Sequence, residues 1–573
     1  MKKIVVWALL VALLAVLLAA CGATEETTNH NVNLGDGGAP EYASQGLEFT
    51  YNSDTQSYYV SGLGTCTDRT IVIPTVHNGK LVTGIAAGAF KADKTEAAVG
   101  GSLVVPLGSE FGGSEFGGSF GGSAEGGVIE GGAEGSGSTV NDGKFEAVVI
   151  PDSIQEIGSE AFMGCESLED VTLSSLVNMI GTDAFKDTAF YNDPENWDNG
   201  ILYLEHYLVE ALDDFAGALV IRAGITHIAD GAFENCAGLT AVTFPDGIAS
   251  IGQSAFRGCT SIEAIDLSFS GVLIGRMAFY GCTALKSVKI GDDSLPSPLP
   301  EEDREKLNKM SSSYFDDDEK TFSGLTVSFT TNYFTYGGEG FVYATVIEDS
   351  AFAGCSALTD IKVGKNLKYI GAFAFSECTS LVTVSLDAMT VATDGANDPA
   401  LQRGTLKRFA NRMDSVFYGC TSLESATLPE GVTVLFQLFK ECTSLKSVSL
   451  PSSVKTLNRA FEGCTSLASV TLPEGLSKLS YSAFAGCRAL ASVAIPDSVT
   501  VIREGALSGL ADGATVTVGK GVATVGEGAL SGNVSITYRG SKAEWQAISL
   551  HENFIVEHEG SVTVVCNDGE IVK

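Results

Sequence analysis

One pattern recurs four times in succession and limits what this chain can fold into. Residues 416–502 contain VFYGCTSLESATLPEGVTVL, LFKECTSLKSVSLPSSVKTL, AFEGCTSLASVTLPEGLSKL and AFAGCRALASVAIPDSVTVI. The cysteines of these units, Cys420, Cys442, Cys464 and Cys487, are 22, 22 and 23 residues apart. This period is too long for a coiled-coil heptad and is typical of one turn of a solenoid.

Each unit carries apolar residues at fixed distances from its cysteine. Around Cys464 these are Phe461, Leu467, Val470 and Leu472. The alternation of Val470 and Leu472 with hydroxyl residues predicts a strand that is buried on one face. A turn and a second apolar pair follow, so we expect one strand and one return leg per coil. A single coil cannot bury its apolar face, which explains why the units occur in tandem.

The same pattern extends through most of the chain. The residue three positions before each cysteine, or its equivalent, marks one coil. These positions are Phe90, Phe162, Phe185, Phe233, Phe256, Phe279, Phe352, Phe375, Phe417, Phe439, Phe461, Phe484, Leu507 and Leu530.

The repeat AF-x-GC-x-x-L-x-x-V-x-LP-x-x-V-x-x-I resembles the leucine-rich repeats of bacterial BspA-like surface proteins. The resemblance implies a right-handed, β-rich leucine-rich repeat solenoid with one strand per 22 to 23 residue coil, short turns or helical return legs, and a cap at both ends. It also implies a place on a bacterial cell surface and a role in adhesion or recognition. It does not imply catalysis.

The N-terminus reads as an export signal. Lys2 and Lys3 precede an apolar run, and Leu18-Ala19-Ala20 leads into Cys21, which indicates a signal peptide over residues 1–20. A cysteine in this setting resembles the lipobox of bacterial lipoproteins, which implies that Cys21 carries a lipid. The alternative is an uncleaved transmembrane anchor, but the apolar run is shorter than the roughly 20 residues that span a bilayer.

The remaining chain divides into a tether, a solenoid and a cap. Residues 21–41 are polar and predict a flexible tether. Residues 42–540 form the solenoid with its N-terminal cap, interrupted by inserts near 94–144, 188–217, 292–347 and 387–414. The second of these contains a period-2 apolar run and predicts a hairpin that packs on the solenoid. Residues 541–573 resemble a C-terminal cap, in which we expect Trp545 to fill the open end of the core.

Thirteen cysteines are present. Besides Cys21, Cys66 and Cys566 they form a ladder of one per coil, namely Cys165, Cys236, Cys259, Cys282, Cys355, Cys378, Cys420, Cys442, Cys464 and Cys487. Export favours disulfides, but one small residue at a fixed core position is typical of a buried thiol. We therefore predict buried thiols.

Charge and motif content exclude several functions. The chain has 35 Lys and Arg against 70 Asp and Glu, which disfavours nucleic acid because phosphate binding needs a basic face. It contains no C-x-x-C zinc motif, no H-E-x-x-H and no nucleophile motif, so we predict no metal site, no cofactor and no enzymatic activity.

Residues five and seven positions after each cysteine line one outward face. In the later coils these are mostly Ser and Thr, a hydroxyl ladder without the aromatic rings of a sugar platform. The middle coils instead carry charges, and Asp266, Lys289 and Lys362 occupy equivalent positions. We interpret Asp266, Lys289, Asp360 and Lys362 as a partner-contacting patch, the alternative being simple cross-strand ion pairs.

Together these features predict an exported, membrane-anchored lipoprotein of the bacterial surface. It would bind an extracellular protein or glycan through the concave face and the inserts, and its only membrane contact would be the lipid. The alternative is a structural envelope-associated repeat protein without a dedicated ligand.

Overall fold

The structure is a computed structural model of the chain. It describes residues 43–53, 55–92, 144–268, 271–291, 333–335, 341–343, 345–389, 411–557 and 562–572. Over these residues the chain winds into the predicted β-solenoid, in which equivalent strands of successive coils pair in parallel. The coil predicted from the sequence period is thereby confirmed.

The coil between Cys259 and Phe279 shows how one repeat folds. Its first strand is Ala264–Leu267, where alternate residues are exposed and buried. A turn leads to a second strand, Leu273–Ile274, with Ile274 in the core. Most coils have this second strand, whereas the sequence pattern indicated only an apolar pair. It is two to four residues long, too short to show an alternating pattern in the sequence.

The first strands of the coils make one side of the solenoid, which we call the strand face. They form five successive sheets, parallel except for the last hairpin. The strands, numbered along the chain with sheets separated by semicolons, are β3 (Thr70–Val72), β6 (Ala147–Val149), β8 (Asp170–Thr172); β13 (Gly217–Val220), β15 (Leu239–Thr243); β17 (Ala264–Leu267), β19 (Ser287–Ile290), β23 (Asp360–Val363); β25 (Thr383–Ser385), β27 (Ser425–Thr427), β29 (Ser447–Ser449); β32 (Ser492–Ala494), β34 (Thr515–Val518), β37 (Ser535–Tyr538), β40 (Thr563–Cys566) and β41 (Gly569–Val572).

The second strands make the opposite side, which we call the return face. They form three longer sheets. These contain β1 (Glu48–Asn52), β2 (Ser57–Gly62), β4 (Val76–His77), β5 (Lys80–Ile85), β7 (Glu156–Ile157), β9 (Met179–Ile180); β10 (Trp197–Asp198), β11 (Ile201–Leu204), β12 (Tyr207–Ala211), β14 (His227–Ile228), β16 (Ser250–Ile251), β18 (Leu273–Ile274), β22 (Thr345–Ile347), β24 (Leu367–Ile370); β26 (Arg412–Asp414), β28 (Val434–Phe436), β30 (Thr456–Asn458), β31 (Lys478–Leu479), β33 (Val501–Ile502), β35 (Thr524–Val525) and β38 (Ser549–Leu550).

The other elements are short. Two further strand pairs join β20 (Tyr333–Thr335) to β21 (Phe341–Tyr343) and β36 (Leu530–Ser531) to β39 (Ile555–Val556). The described helices are α1 (Ala189–Asn192), a 3-10 turn at Pro194–Asn196, and α2 (Lys542–Gln546). In the described part of the chain, no helix has the length and apolar character to cross a bilayer.

The phenylalanines that mark the coils stack ring on ring through the core. Phe256 and Phe279 are 5.1 Å apart between ring centroids and tilted by 2°. Where the coil has 22 residues the stack widens, to 5.9 Å between Phe417 and Phe439. The two last coils replace the ring by Leu507 and Leu530, which are buried and bridged in parallel as the register predicts.

The ladder cysteines are buried free thiols, as predicted. Each S–H group donates to a backbone carbonyl of the preceding coil. The acceptor of Cys282, for example, is the Phe256 oxygen at 3.2 Å, and that of Cys464 is the Phe439 oxygen at 3.0 Å. The exception is Cys236, which points to Leu212 across 3.8 Å, next to the insert. The thiol thus fills a small core site and satisfies a carbonyl at the same time.

Glycine follows the second strand in several coils because successive backbones approach closely there. A Cβ atom on Gly252 would lie 2.6 Å from the carbonyl carbon of Ala229, and one on Gly158 would lie 2.4 Å from the Ala87 nitrogen. Both are shorter than any contact that a side chain tolerates. The I-G-x-x-A-F pattern in the sequence carries this constraint.

The insert near 188–217 contains the predicted hairpin, β11 and β12, but the hairpin lies within the return face. It is antiparallel inside, and β12 pairs in parallel with β14. Both of its faces are buried, and they separate the core into two clusters. Leu202, Leu204, Tyr207 and Val209 pack into the N-terminal cluster, and Ile201, Tyr203, Leu208 and Ala211 pack into the C-terminal one.

The C-terminal segment covers the last coil with α2. Ser541 and Glu544 form a reciprocal capping box at its start. Trp545 is buried, as expected, and meets Tyr538 edge to face at 5.3 Å. Cys21, the tether and most of the inserts near 94–144, 292–347 and 387–414 lie outside the described residues, so those assignments stay predictions, as do the domain boundaries.

Candidate functional site

The four charged residues singled out from the sequence lie together on the strand face. They belong to the three-stranded sheet of β17, β19 and β23. Asp266 is in register with Lys289, and Lys289 with Lys362. The predicted row across three consecutive coils is therefore present, and Asp360 lies two residues before Lys362 on the same side of β23.

The charges of this patch are engaged with one another. Lys289 Nζ lies 2.7 Å from Asp266 Oδ2, and Lys362 Nζ lies 3.4 Å from Asp360 Oδ2. These side chains are half exposed, between 50% and 66%. The cross-strand pairing weighed in the sequence is thus observed for Asp266 and Lys289, whereas Lys362 pairs within its own strand.

A second ion pair extends the patch by one position. Lys286 Nζ lies 2.8 Å from Glu263 Oε1 on the neighbouring strand. With these two residues the patch has three ammonium groups and three carboxylates. It is a charge-balanced surface on a chain with a formal net charge of -35.

Hydrogen bonding sets the protonation of the central pair. Partial burial alone would raise the pKa of Asp266, but hydrogen bonds from Lys289 and Ser268 outweigh it and hold that pKa below its usual value. The same hydrogen bond raises the pKa of Lys289. Both groups are charged at neutral pH, so the patch presents charged hydrogen-bond donors and acceptors at the surface.

The predicted hydroxyl ladder follows on the later coils. Thr383, Ser425 and Ser447 are in register, and so are Ser385, Thr427 and Ser449. Thr427 Oγ1 donates to Ser385 Oγ at 3.1 Å, so these hydroxyls also bond to each other. The charged patch and the hydroxyl ladder together make an exposed polar face of small and charged side chains.

The core thiols have low reactivity. Burial raises the pKa of Cys355 to about 12 and that of Cys420 to about 12, so the reactive thiolate is almost absent at neutral pH. Among the described residues, no group of three or more His, Cys, Asp and Glu side chains is placed to hold a metal ion.

The return face holds carboxyl groups that the sequence analysis did not single out. Asp230 accepts a hydrogen bond from the Gln253 N–H at 2.6 Å, and Glu348 accepts one from the Arg276 N–H at 2.9 Å. Burial raises the pKa of each to about 7. They satisfy backbone groups where the second strand ends. An acidic residue between the strand and the Ala-Phe pair was the only signal for them.

Solved structures similar to this chain include leucine-rich repeat proteins. One from Bacteroides ovatus is 19% identical, covers 83% of this chain and 94% of its own, and has a TM-score of 0.36. A leucine rich cell surface protein from Faecalibacterium prausnitzii is 21% identical, with 76% and 94% covered and a TM-score of 0.26. The pneumococcal vaccine antigen PcpA is 14% identical, with 89% of both chains covered and a TM-score of 0.29. No protein of curated function matches the sequence.

A family model identifies the repeats themselves. The model of the BspA type leucine rich repeat region matches in six copies, over residues 138–194, 217–296, 343–433 and 410–537. These segments cover more than half of the chain, and they leave out residues 195–216, which hold the hairpin. The chain therefore belongs to the family of BspA-type leucine-rich repeat proteins.

Proposed function

We propose that this protein is a binding protein of the bacterial cell surface, held to the membrane by a lipid on Cys21, that recognises an extracellular protein or glycan through its strand face. The observation that carries the proposal is the exposed row of Asp266, Lys289 and Lys362, in register across three coils. A rigid sheet keeps these charges at fixed spacing, as recognition requires. The family and the export signal support the location.

The patch fits a partner that carries both charges or many hydroxyl groups. Exposed ion pairs contribute only about 0–1 kcal/mol to stability, so Lys289 and Lys362 can exchange their carboxylates for those of a partner at little cost. The carboxylates then accept hydrogen bonds in turn. We therefore expect the patch to contribute to affinity more than to the stability of the fold.

The binding experiment uses the mature chain against arrays of matrix proteins, mucin-type glycans and bacterial surface material. The variant Lys289→Glu/Lys362→Glu should weaken saturable binding by about tenfold or more, since charge reversal at a contact opposes the partner's charges. Lys455→Glu/Lys478→Glu is the matched control, with the same charge change on exposed residues at the return face. Equal binding by both variants contradicts the assignment of the patch.

The lipid on Cys21 has its own test. Cys21→Ala should abolish labelling by a fatty-acid analogue and move the protein out of the membrane fraction, because no other group in the proposal holds it there. Unchanged labelling of Cys21→Ala would disprove the anchor without affecting the binding proposal.

A structural role in the cell envelope is the second candidate. It is favoured by the ion pairs at Lys286, Lys289 and Lys362, each of which already has a carboxylate neighbour. The charged and hydroxyl groups of the strand face already bond to one another, so the fold requires no ligand to pair them. Absence of saturable binding to every class on the arrays, with the chain folded, supports this candidate over the first.

A further inference from the structure

The strand face is interrupted between β8 and β13. β8 is the last strand of the first sheet and β13 is the first strand of the next. The phenylalanine stack breaks at the same level, where Phe185 meets Phe190 and Phe233 meets Phe215, both edge to face. The insert fills this level with the hairpin β11–β12 on the return face and with α1, whose Phe190 N–H donates to Leu168 O at 2.7 Å shortly before β8. β13 is therefore an edge strand in the middle of the solenoid.

The backbone of β13 has one edge occupied and one edge open. Gly217 N–H donates to Gly238 O at 2.9 Å, and Ile221 N–H donates to Thr243 O at 3.0 Å. Alternate residues of a parallel strand bond to opposite sides, so Ala218 and Val220 turn their N–H and C=O groups to the open edge. Those N–H groups have no hydrogen-bond partner within the described ranges.

An apolar side chain is exposed on this strand. Val220 is 72% exposed, more than any other large hydrophobic residue in the described ranges. Leu219, which lies between the exposed Ala218 and Val220, is buried. Leu212, before the strand, is 47% exposed. An unpaired edge with exposed apolar residues is the arrangement that accepts an added strand.

The surroundings of the edge are acidic. The insert 188–217 contains seven acidic residues and no Lys or Arg. Two of them, Glu205 and Glu210, belong to the hairpin on the return face, where burial raises the pKa of Glu210 to about 7. Asp213 and Asp214 are exposed just before β13, and Asp170 is exposed on β8 across the interruption. Two cations lie in this region: Arg222 lies over the Tyr203 ring at 4.1 Å, and Lys186 pairs with Asp183 at 2.9 Å and also interacts with Asp213.

We propose that the open edge of β13 binds an extended, basic segment of a partner protein, which adds to the sheet as a further strand. Main-chain hydrogen bonds to Ala218 and Val220 supply the pairing, Val220 covers apolar side chains of the added strand, and Asp213 and Asp214 select positive charge. A second copy of this chain fits poorly, since it would bring Asp213 and Asp214 against their own copies. This surface is distinct from the charged patch and does not depend on it.

The probe is a labelled synthetic peptide of alternating lysine and valine, long enough to span β13, measured by fluorescence anisotropy with the mature chain. A second peptide of identical sequence carries N-methyl groups on alternate residues, which removes backbone donors without changing charge. A third has glutamate in place of lysine. We expect the methylated peptide to bind about tenfold or more weakly and the acidic one not to bind.

Two protein variants locate the site. Asp213→Asn/Asp214→Asn should weaken binding of the basic peptide severalfold. The control Asp512→Asn/Glu552→Gln makes the same charge change on distant exposed residues and should leave binding unchanged. Val220→Lys should also weaken it. Equal binding of the methylated and unmethylated peptides, equal effects of the two charge variants, or no binding of the basic peptide each overturn the proposal. So does a dimer of the chain that Val220→Lys dissociates, which would assign the edge to a second copy.

Discussion

The phenylalanine stack gives the sharpest test of how the coils hold together, through the substitution Phe279→Ala. The Phe279 ring is fully buried and lies 5.1 Å from Phe256 and 5.1 Å from Phe352, nearly parallel to both. Truncation of a buried Phe to Ala costs about 3–5 kcal/mol, and each ring pair contributes about 0.5–1.5 kcal/mol of the total. We expect the loss of unfolding free energy to lie near the upper end of the range of about 3–5 kcal/mol, because Phe256 and Phe352 each lose a stacking partner.

The backbone contacts of this position survive the substitution. The Phe279 N–H donates to Ala351 O at 2.7 Å, and its carbonyl accepts the Cys355 thiol at 3.2 Å. Alanine keeps both of these hydrogen bonds, so the loss of stability measures the contacts of the ring alone. Phe279→Leu should cost less, because the chain itself places Leu507 and Leu530 at equivalent positions.

The assay is urea unfolding combined with amide hydrogen exchange. Since each coil contacts only its neighbours, Phe279→Ala should lower protection most in β17, β19 and β23. The control is Phe373→Ala, whose ring is 41% exposed and contacts Tyr418 edge to face, and for which we expect a loss of at most about 1.5 kcal/mol. A loss below about 1 kcal/mol for Phe279→Ala, or equal losses for the two variants, refutes the stack as the main contact between coils.

Three further predictions concern titration, thiols and backbone strain. Burial raises the folded-state pKa of Asp230 and Glu348 to about 7, so the folded state binds more protons than the unfolded state between about pH 4 and 7 and stability falls as pH rises through that window. The urea midpoint should be higher at mildly acidic than at alkaline pH, and Asp230→Asn/Glu348→Gln should flatten this slope. The ladder thiols should not react with iodoacetamide in the native protein and should all react in denaturant, and rapid native labelling of Cys282 would contradict its burial. Glu441 has a left-handed backbone with φ of 63°, so Glu441→Gly should raise stability by up to about 1 kcal/mol in thermal unfolding.

The repeating core could be predicted from the sequence because one packing requirement recurs at every coil. Phe279, Cys282 and the inward residues Val288 and Ile290 are buried where the spacing places them. The second strand of each coil could not be predicted, because a strand of two to four residues is too short to show an alternating apolar pattern. The partner of each thiol was also hidden, since the Phe256 carbonyl that accepts Cys282 is a backbone group and leaves no mark on the sequence.

The candidate site could be predicted in position but not in detail. Equal spacing from the cysteine places Asp266, Lys289 and Lys362 in one row, as the register confirms. Which carboxylate each lysine meets depends on side-chain rotamers, and Lys362 pairs within its own strand instead of across it. The burial of both faces of β11 had a signal, namely the unbroken apolar run Ile201–Leu204, which is typical of a strand covered on both sides.

The thiol hydrogen bonds give the stack of coils a polarity. Every ladder cysteine donates toward the N-terminal neighbour and none toward the C-terminal one, as for Cys355 to Phe279 and Cys487 to Phe461. A chain that is synthesised from its N-terminus thus offers each new cysteine an acceptor that is already in place. Truncation is asymmetric for the same reason. Removing coils from the C-terminal end leaves every remaining thiol bonded, whereas removing them from the N-terminal end leaves the first remaining thiol without its carbonyl.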